Sequence, residues 1–306
     1  MDLLQEHLMR ARASGGVFAR STARPPWGLR LPGAIQLAVH AVIQGTAWLW
    51  VDGVDGVDGP TELRPGDLAL VRGGPDHFIA HQPGAPCVTH EEFQSLPDTD
   101  EYVAGNSVAV FLCGAYRFAG DIGRSLVDAL PPVLSLPASI DDPIHAVVSL
   151  LSREMAHEQP GRQTILDRLL DVLVVLGLRS GLGRSPNPPA WFRAAAADPR
   201  LEPALQAIHG EPEKPWTVVE LARTSHMSRA NFARAFQQML GQTPMRYLTD
   251  WRMTLARDLL LTSDETPEQI ASHIGYGSVY AFTTAFHRHH GQPPRRWKHA
   301  AANSLT

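Results

Sequence analysis

The feature that most restricts this chain is a repeat close to its end. AFQQMLGQTPMRY, from Ala235 to Tyr247, returns fifty residues later as AFHRHHGQPPRRW, from Ala285 to Trp297. Ala235, Phe236, Gly241, Gln242, Pro244 and Arg246 match Ala285, Phe286, Gly291, Gln292, Pro294 and Arg296. The similarity extends upstream, where LARTSHMSRANFARAF (221–236) parallels IASHIGYGSVYAFTTAF (270–286) once the second turn is given one more residue. Two such segments are two copies of one supersecondary unit.

The punctuation of each copy says which unit it is. In the first, Val218, Val219, Leu221 and Ala222 make a short helical pattern that SHMS interrupts. Ser228 then stands where an N-cap starts a second helix. That helix buries Phe232, Ala235, Phe236 and Met239 and stops at Gly241, which suits a left-handed C′ position. Pro244 opens the next helix in its first turn. The second copy has Pro267 at the start of its first helix, GYGS as its turn, Ser278 as cap, and Phe282, Ala285 and Phe286 as its buried face. Each copy therefore reads as helix, tight turn, helix. Between them, residues 244–261 carry an apolar stripe of Tyr247, Leu248, Trp251, Leu255 and Leu259. Eighteen helical residues make a rod of roughly 27 Å. Such a rod suits two units placed near the roughly 34 Å repeat of B-DNA.

At 100° per residue, the face opposite Phe232 and Phe236 holds Ala230, Arg234 and Gln237, and the face opposite Phe282 and Phe286 holds Tyr280, Thr284 and His287, flanked by Thr283. These seven are the candidate base-reading residues. Arginine pairs with guanine, glutamine with adenine, and small side chains touch the thymine methyl. Arg229, Gln238, Arg246, Arg288, Arg295, Arg296 and Lys298 are the candidate phosphate contacts, which position without specifying. The cluster of His287, His289 and His290 offers only an i, i+3 pair, whereas a helical metal pair wants i, i+4. None of the three recurs in the first copy, so solvated histidines are expected, with His287 turned to DNA.

On these residues the segment from Trp216 to Lys298 resembles the two-motif DNA-binding domain of the AraC/XylS family of transcription regulators. MSRANFARAF, GQTPMRYLTDWRM, IASHIGYGS and FTTAFHRHHGQPPRRWK fit its pattern, and residues 198–218 resemble its lead-in. Several family members carry an acidic or polar residue after the second turn, where this chain has Val279 and Tyr280, so second-motif specificity does not carry over. The resemblance implies double-stranded DNA and RNA polymerase as partners and activation as the usual outcome.

The N-terminal half reads differently. AIQLAVHAVIQGTAWLWV (34–51), TELRPGDLALVRGGPDHFIAHQ (61–82) and VAVFLCGAYRF (108–118) are strand-like, separated by DGVDGVDG and Gly/Pro/Asp turns. Short strands at this spacing favour a barrel or sandwich, and their order is similar to the cupin-type sensor domain of many AraC-like regulators. Catalytic cupins carry an H-x-H pair, but His40 is followed two residues later by Val42; His77 stands where the later cupin histidine falls. His40, His77, Cys87 and Cys113 are the candidate sensor residues for an unidentified small molecule or an oxidant. Buried, hydrogen-bonded histidines and inert thiols are the plainer expectation, no cofactor is assigned, and a metal on these histidines, with His81 or His90, stays open.

ILDRLLDVLVVLGLRS (165–180) places Ile165, Leu169, Val172, Leu173 and Leu176 on one stripe, expected to pack on the barrel and to form a homodimer interface. GLGRSPNPP (181–189) has the composition of a linker.

The expected fold is α+β: a cupin-like sensor barrel (1–118), a helical packing and dimerisation segment (119–180), the linker (181–189) and an all-α domain with two helix-turn-helix motifs (190–300). The charge divides accordingly. Residues 1–189 hold 14 Lys and Arg against 21 Asp and Glu, while residues 190–306 hold 13 against 10. A basic tail module on an acidic body fits a polyanion partner. Two cysteines are too few for a disulfide framework. With no apolar leader or membrane-length apolar run, the chain is expected in the cytoplasm. A sequence-specific DNA-binding regulator, not an enzyme, is the leading expectation, and a metal-dependent cupin enzyme with a helical appendage is the alternative. A DNA-repair methyl acceptor would need more cysteines.

Overall fold

The structure is a computed structural model that describes residues 3–11, 14–53, 59–95, 108–118, 120–185 and 188–303. Part of the DGVDGVDG turn and two residues of the expected linker lie outside the described residues. The chain divides into two compact units, one of residues 14–117 and 127–187, the other of residues 1–13, 118–126 and 188–306. Contiguous domain boundaries leave out this interleaving: the first helix and most of the helix after residue 119 belong with the C-terminal unit.

The β unit holds β1 (Ser14–Ala23), β2 (Gly28–Leu31), β3 (Leu37–Gln44), β4 (Ala47–Val51), β5 (Thr61–Leu63), β6 (Leu68–Arg72), β7 (His77–Ala80), β8 (Val88–Thr89), β9 (Ala109–Arg117) and β10 (Val133–Leu136). They form two five-stranded sheets, ordered β1-β9-β3-β6-β10 and β5-β4-β7-β2-β8. One core between the sheets gathers Trp27, Leu29, Ala38, Val42, Leu49, Ala69, Val71, Ile79, Phe111 and Cys113. The short helix α2 (His90–Ser95) adds Phe93 to it.

Helices α4 (Pro143–Met155) and α5 (Arg162–Arg184) belong to the same unit, and α5 covers the outer face of the first sheet. Leu170 packs over Gly15 and Gly114, while Gly177 meets Leu70 and Gly181 meets Leu130 and Leu134. This cover explains why LAVHAVI and AVFLCGAY alternate so poorly. Strands buried on both faces read as continuous apolar runs.

Two expectations for α5 change. The helix continues through Gly181 to Arg184, because Gly181 is buried against the sheet, so the first four residues of the expected linker are helical. Its sheet-facing residues are Leu166, Leu170, Leu173, Val174 and Leu178. Of the expected stripe only Leu173 faces inward; Leu169 and Leu176 are half-buried, and Ile165 and Val172 are each 43% exposed. An apolar helix has two faces to bury, and the sheet takes the other one.

The second unit is all-helical: α1 (Leu3–Arg10), α3 (Gly120–Asp128), α6 (Ala190–Ala197), a 3-10 turn (Pro199–Leu201), α7 (Glu202–Gly210), α8 (Val218–Thr224), α9 (Arg229–Leu240), α10 (Pro244–Thr262), α11 (Pro267–His273), α12 (Val279–His290) and α13 (Pro294–Asn303). A single core runs through it. Phe232, Phe236, Phe282 and Phe286 lie fully buried within that core, with Leu221, Leu248, Trp251 and Ile270. At about 2–3 kcal/mol for each buried phenylalanine, those four fix α9 and α12 against their scaffolds.

Candidate nucleic-acid interface

Each copy of the repeat folds as the same two-helix unit, and local chemistry builds it. Thr217 and Glu220 form a reciprocal capping box that starts α8, as Thr266 and Gln269 do for α11. Ser228 accepts from the Asn231 amide to cap α9, and Ser278 accepts from the Ala281 amide to cap α12. Gly241 and Gly291 stop the two helices, each at φ 74°. Thr243 caps α10, and Pro244 occupies its first turn.

The turns inside the two copies coincide. The Met227 amide donates to the Ala222 carbonyl at 2.9 Å, and the Tyr276 amide donates to the Ala271 carbonyl at 2.8 Å. Each turn needs one left-handed residue, and it is His226 (φ 52°) in the first copy and Gly275 (φ 78°) in the second. The sequence concealed that equivalence, because histidine does not advertise a left-handed position. At Gly275 a Cβ would collide with the Glu213 carbonyl and the Arg252 guanidinium, so glycine is also required sterically.

With the phenylalanines turned inward, the opposite faces stand free. Ala230, Arg234, Gln237, Tyr280, Thr284 and His287 are all exposed, and Thr283 is half-buried. Tyr280 is 80% exposed, an unusual position for a large ring. Arg229, Gln238, Arg246, Arg288, Arg295 and Arg296 are exposed as well. Lys298 differs, being half-buried with its Nζ donating to the Ser263 carbonyl at 3.2 Å. α10 spans 19 residues, about 28 Å, between the two units.

The three clustered histidines have different surroundings, although the His289 and His290 rings lie 4.5 Å apart. His287 faces solvent, while His289 Nε2 lies 3.1 Å from Asp250 Oδ1 of α10, a carboxylate that the adjoining sequence does not show. His290 packs against Phe286 at 4.4 Å between ring centres. Burial, then the neighbouring His289 and Arg257 charges, hold its pKa down to about 4. Among the described residues no group of three metal-ligating side chains forms.

In the β unit the structure brings together three of the four candidate sensor residues. His40 on β3, His77 on β7 and Cys113 on β9 are buried, with Cys113 Sγ 3.2 Å from His40 Nδ1 and His40 Nε2 2.9 Å from His77 Nε2. Burial, then the charge of its neighbour His77, drives His40 well below the usual imidazole range. Burial takes His77 down to about 4, with Asp76 opposing. Burial also pushes the Cys113 thiol up to about 12, the reverse of the low-pKa thiolate that a reactive switch uses. Cys87 is bonded elsewhere, donating to the Ala85 carbonyl at 3.3 Å. His81 Nδ1 lies 2.7 Å from the Trp27 carbonyl oxygen.

Comparison with known proteins finds relatives of both halves of the sequence. A cupin family model matches residues 2–183, and a helix-turn-helix domain model matches residues 221–300. An AraC-like transcription regulator of Streptomyces lividans is 31% identical over 297 residues, covering 96% of this chain and 97% of the relative. The HTH-type transcriptional regulator AlkR of Acinetobacter baylyi is 30% identical over 284 residues, covering 89% and 90%. Among solved structures, the DNA-binding domain of AdpA in complex with a target DNA shares 32% identity over 34% of this chain and 92% of that one, with a TM-score of 0.32.

Proposed function

The chain belongs to the cupin-bearing, AraC-like family of DNA-binding transcription regulators, and we propose that it reads one DNA site with both copies of its repeat. In this reading Ala230, Arg234 and Gln237 of α9 meet the base edges of one major-groove segment. Tyr280, Thr283, Thr284 and His287 of α12 meet those of the next. Arg229, Gln238, Arg246, Arg288, Arg295 and Arg296 hold phosphates, and Lys298 joins them only by leaving the Ser263 carbonyl. The observation that carries the reading is the pairing of two identically capped and stopped helices whose phenylalanines point in and whose polar residues point out.

The rest of the regulator follows from the β unit. Ile165, Leu169, Val172 and Leu176 recur at steps of four, three and four along the outward face of α5, the spacing of a coiled-coil seam. A second copy of the chain is the partner that spacing suits. An effector would act at the buried trio of His40, His77 and Cys113, a polar point in an apolar interior. Burial that raises the Cys113 pKa counts against a reactive thiolate there, and so against an oxidant acting on that thiol. Activation through RNA polymerase is the outcome this family membership suggests.

The test is fluorescence anisotropy of the full chain on promoter fragments and on random DNA, titrated with salt. Preference for particular fragments, with affinity falling steeply as salt rises, supports the reading. Equal binding to all DNA, or none, overturns it.

A further inference from the structure

Adjacent side chains on a helix do not ordinarily face each other, yet the rings of His289 and His290 do. Their centres are 4.5 Å apart with planes at 64°, and the two Nδ1 atoms lie 3.5 Å from each other. Separate anchors turn them to one place. His289 is drawn to α10, its Nε2 lying 3.1 Å from Asp250 Oδ1. His290, the last residue of α12, packs on Phe286 at 4.4 Å and beside Trp297 of α13 at 6.3 Å, with its Nε2 buried. The first copy of the repeat has Met239 and Leu240 at these two positions, so apolar packing there gives way to a pair of imidazoles here.

The contact with Asp250 selects a tautomer. An ionised carboxylate only accepts, so the proton of a neutral His289 sits on Nε2 and its Nδ1 keeps a lone pair. His290 is neutral at ordinary pH, because burial above all holds its pKa down to about 4. The Met253 carbonyl of α10 attracts a proton to that ring. A proton on the buried Nε2 leaves the second Nδ1 lone pair turned to the first. A hydrogen bond between the two is the competing account, and the 3.5 Å separation is long for it, since good N–H bonds span roughly 2.7–3.2 Å. Two nitrogens bound to one tetrahedral ion at roughly 2.1 Å stand about 3.4 Å apart.

The surroundings suit a cation. A carboxylate behind a ligating imidazole orients the ring and raises its basicity, which is the place Asp250 occupies. The C-terminal end of α12 gathers partial negative charge. Arg257, whose charge reaches His290, is taken up by Asp121 at 2.8 Å and lies 5.1 Å over the Trp297 ring.

We infer that His289 and His290 form a binding site for a divalent transition-metal ion of the zinc class, held by the two Nδ1 atoms with water in its remaining positions, and that Asp250 is its positioning carboxylate. Imidazole nitrogen selects zinc, copper or nickel over magnesium and calcium. Water completes the shell because no third metal-ligating side chain joins the pair among the described residues. An ion there strengthens the His289–Asp250 bond and so fastens the second helix-turn-helix to α10. The inference goes beyond the regulator reading and stands whatever DNA the chain selects.

The experiment is isothermal titration calorimetry of the full chain with zinc chloride at submillimolar concentration near neutral pH, with magnesium chloride as the control ion. His290→Phe keeps a ring against Phe286 and Trp297 while removing the ligand, and His289→Ala removes its exposed partner. H289A and H290F are each expected to take up one zinc fewer than the unaltered chain. D250N keeps both ligands and should bind at least about tenfold more weakly, H287A should match the unaltered chain, and magnesium should give no binding. No zinc uptake by the unaltered chain overturns the inference, as does full stoichiometry in both H289A and H290F. Loss of the ion in H287A would equally overturn it, by moving the ligand to the other histidine.

Discussion

Arg234 is exposed on α9, as the helical spacing predicts. It stands between the two inward rings of that helix, with a guanidinium whose fork suits the O6 and N7 of guanine. Arg234→Ala should cost about 1–3 kcal/mol on the preferred site and relax the choice at one base pair. Anisotropy on single-base variants of that site measures it, and an equal loss on random DNA would place Arg234 on a phosphate instead. Other residues were illegible for a definite reason. The contacts of His40 with His77 and Cys113 join positions 37 and 73 residues apart. No local pattern encodes such pairings, and the run LAVHAVI hides its inward parity because both faces of the strand are covered.

At the scale of elements, the helix-turn-helix units were readable because caps, stops and turns are local chemistry. Ser228, Gly241, Pro244 and their counterparts Ser278, Gly291 and Pro294 each act within one turn of where they stand. The linker was misplaced for the converse reason: Gly181 looks like a breaker alone and becomes a packing residue only against Leu130 and Leu134. The two turns make a paired prediction. His226 holds a left-handed conformation that costs a non-glycine residue about 1–2 kcal/mol. His226→Gly should therefore leave stability unchanged or raise it by up to about 1 kcal/mol. Gly275→Ala should lower it by at least about 2 kcal/mol, through the same backbone cost and the collision with Glu213 and Arg252. Urea unfolding of both variants decides the matter, and equal effects would contradict the equivalence of the turns. For α5, Val172→Glu should convert a dimer to a monomer in light scattering; an unchanged mass would remove the outward stripe as the interface.

For the whole molecule, buried neutral histidines set a direction with pH. His7 and His77 have pKa values lowered from 6.5 to about 4, so the unfolded chain takes up their protons first. Their stability contribution is complete above pH 6.5 and is lost as pH falls towards 4, about 3 kcal/mol for each histidine. Urea midpoints between pH 7.5 and 4.5 should fall accordingly, and H7F should show a shallower fall; a flat profile would mean that these imidazoles are not buried neutral. The cupin and helix-turn-helix halves were legible in the sequence, but the interleaving of α1 and α3 with the C-terminal unit was not, because Leu3 and Ile122 find that core only in three dimensions. The central claim remains that two copies of one unit read two adjacent blocks of a single site. Its most direct measurement is selection of preferred DNA by the unaltered protein, by a variant with Arg234→Ala and Gln237→Ala, and by one with Tyr280→Ala and Thr284→Ala. The account predicts two preferred blocks roughly one helical turn apart, the first variant losing one and the second losing the other. Loss of the same block by both variants, or a single undivided block in the unaltered protein, would contradict it.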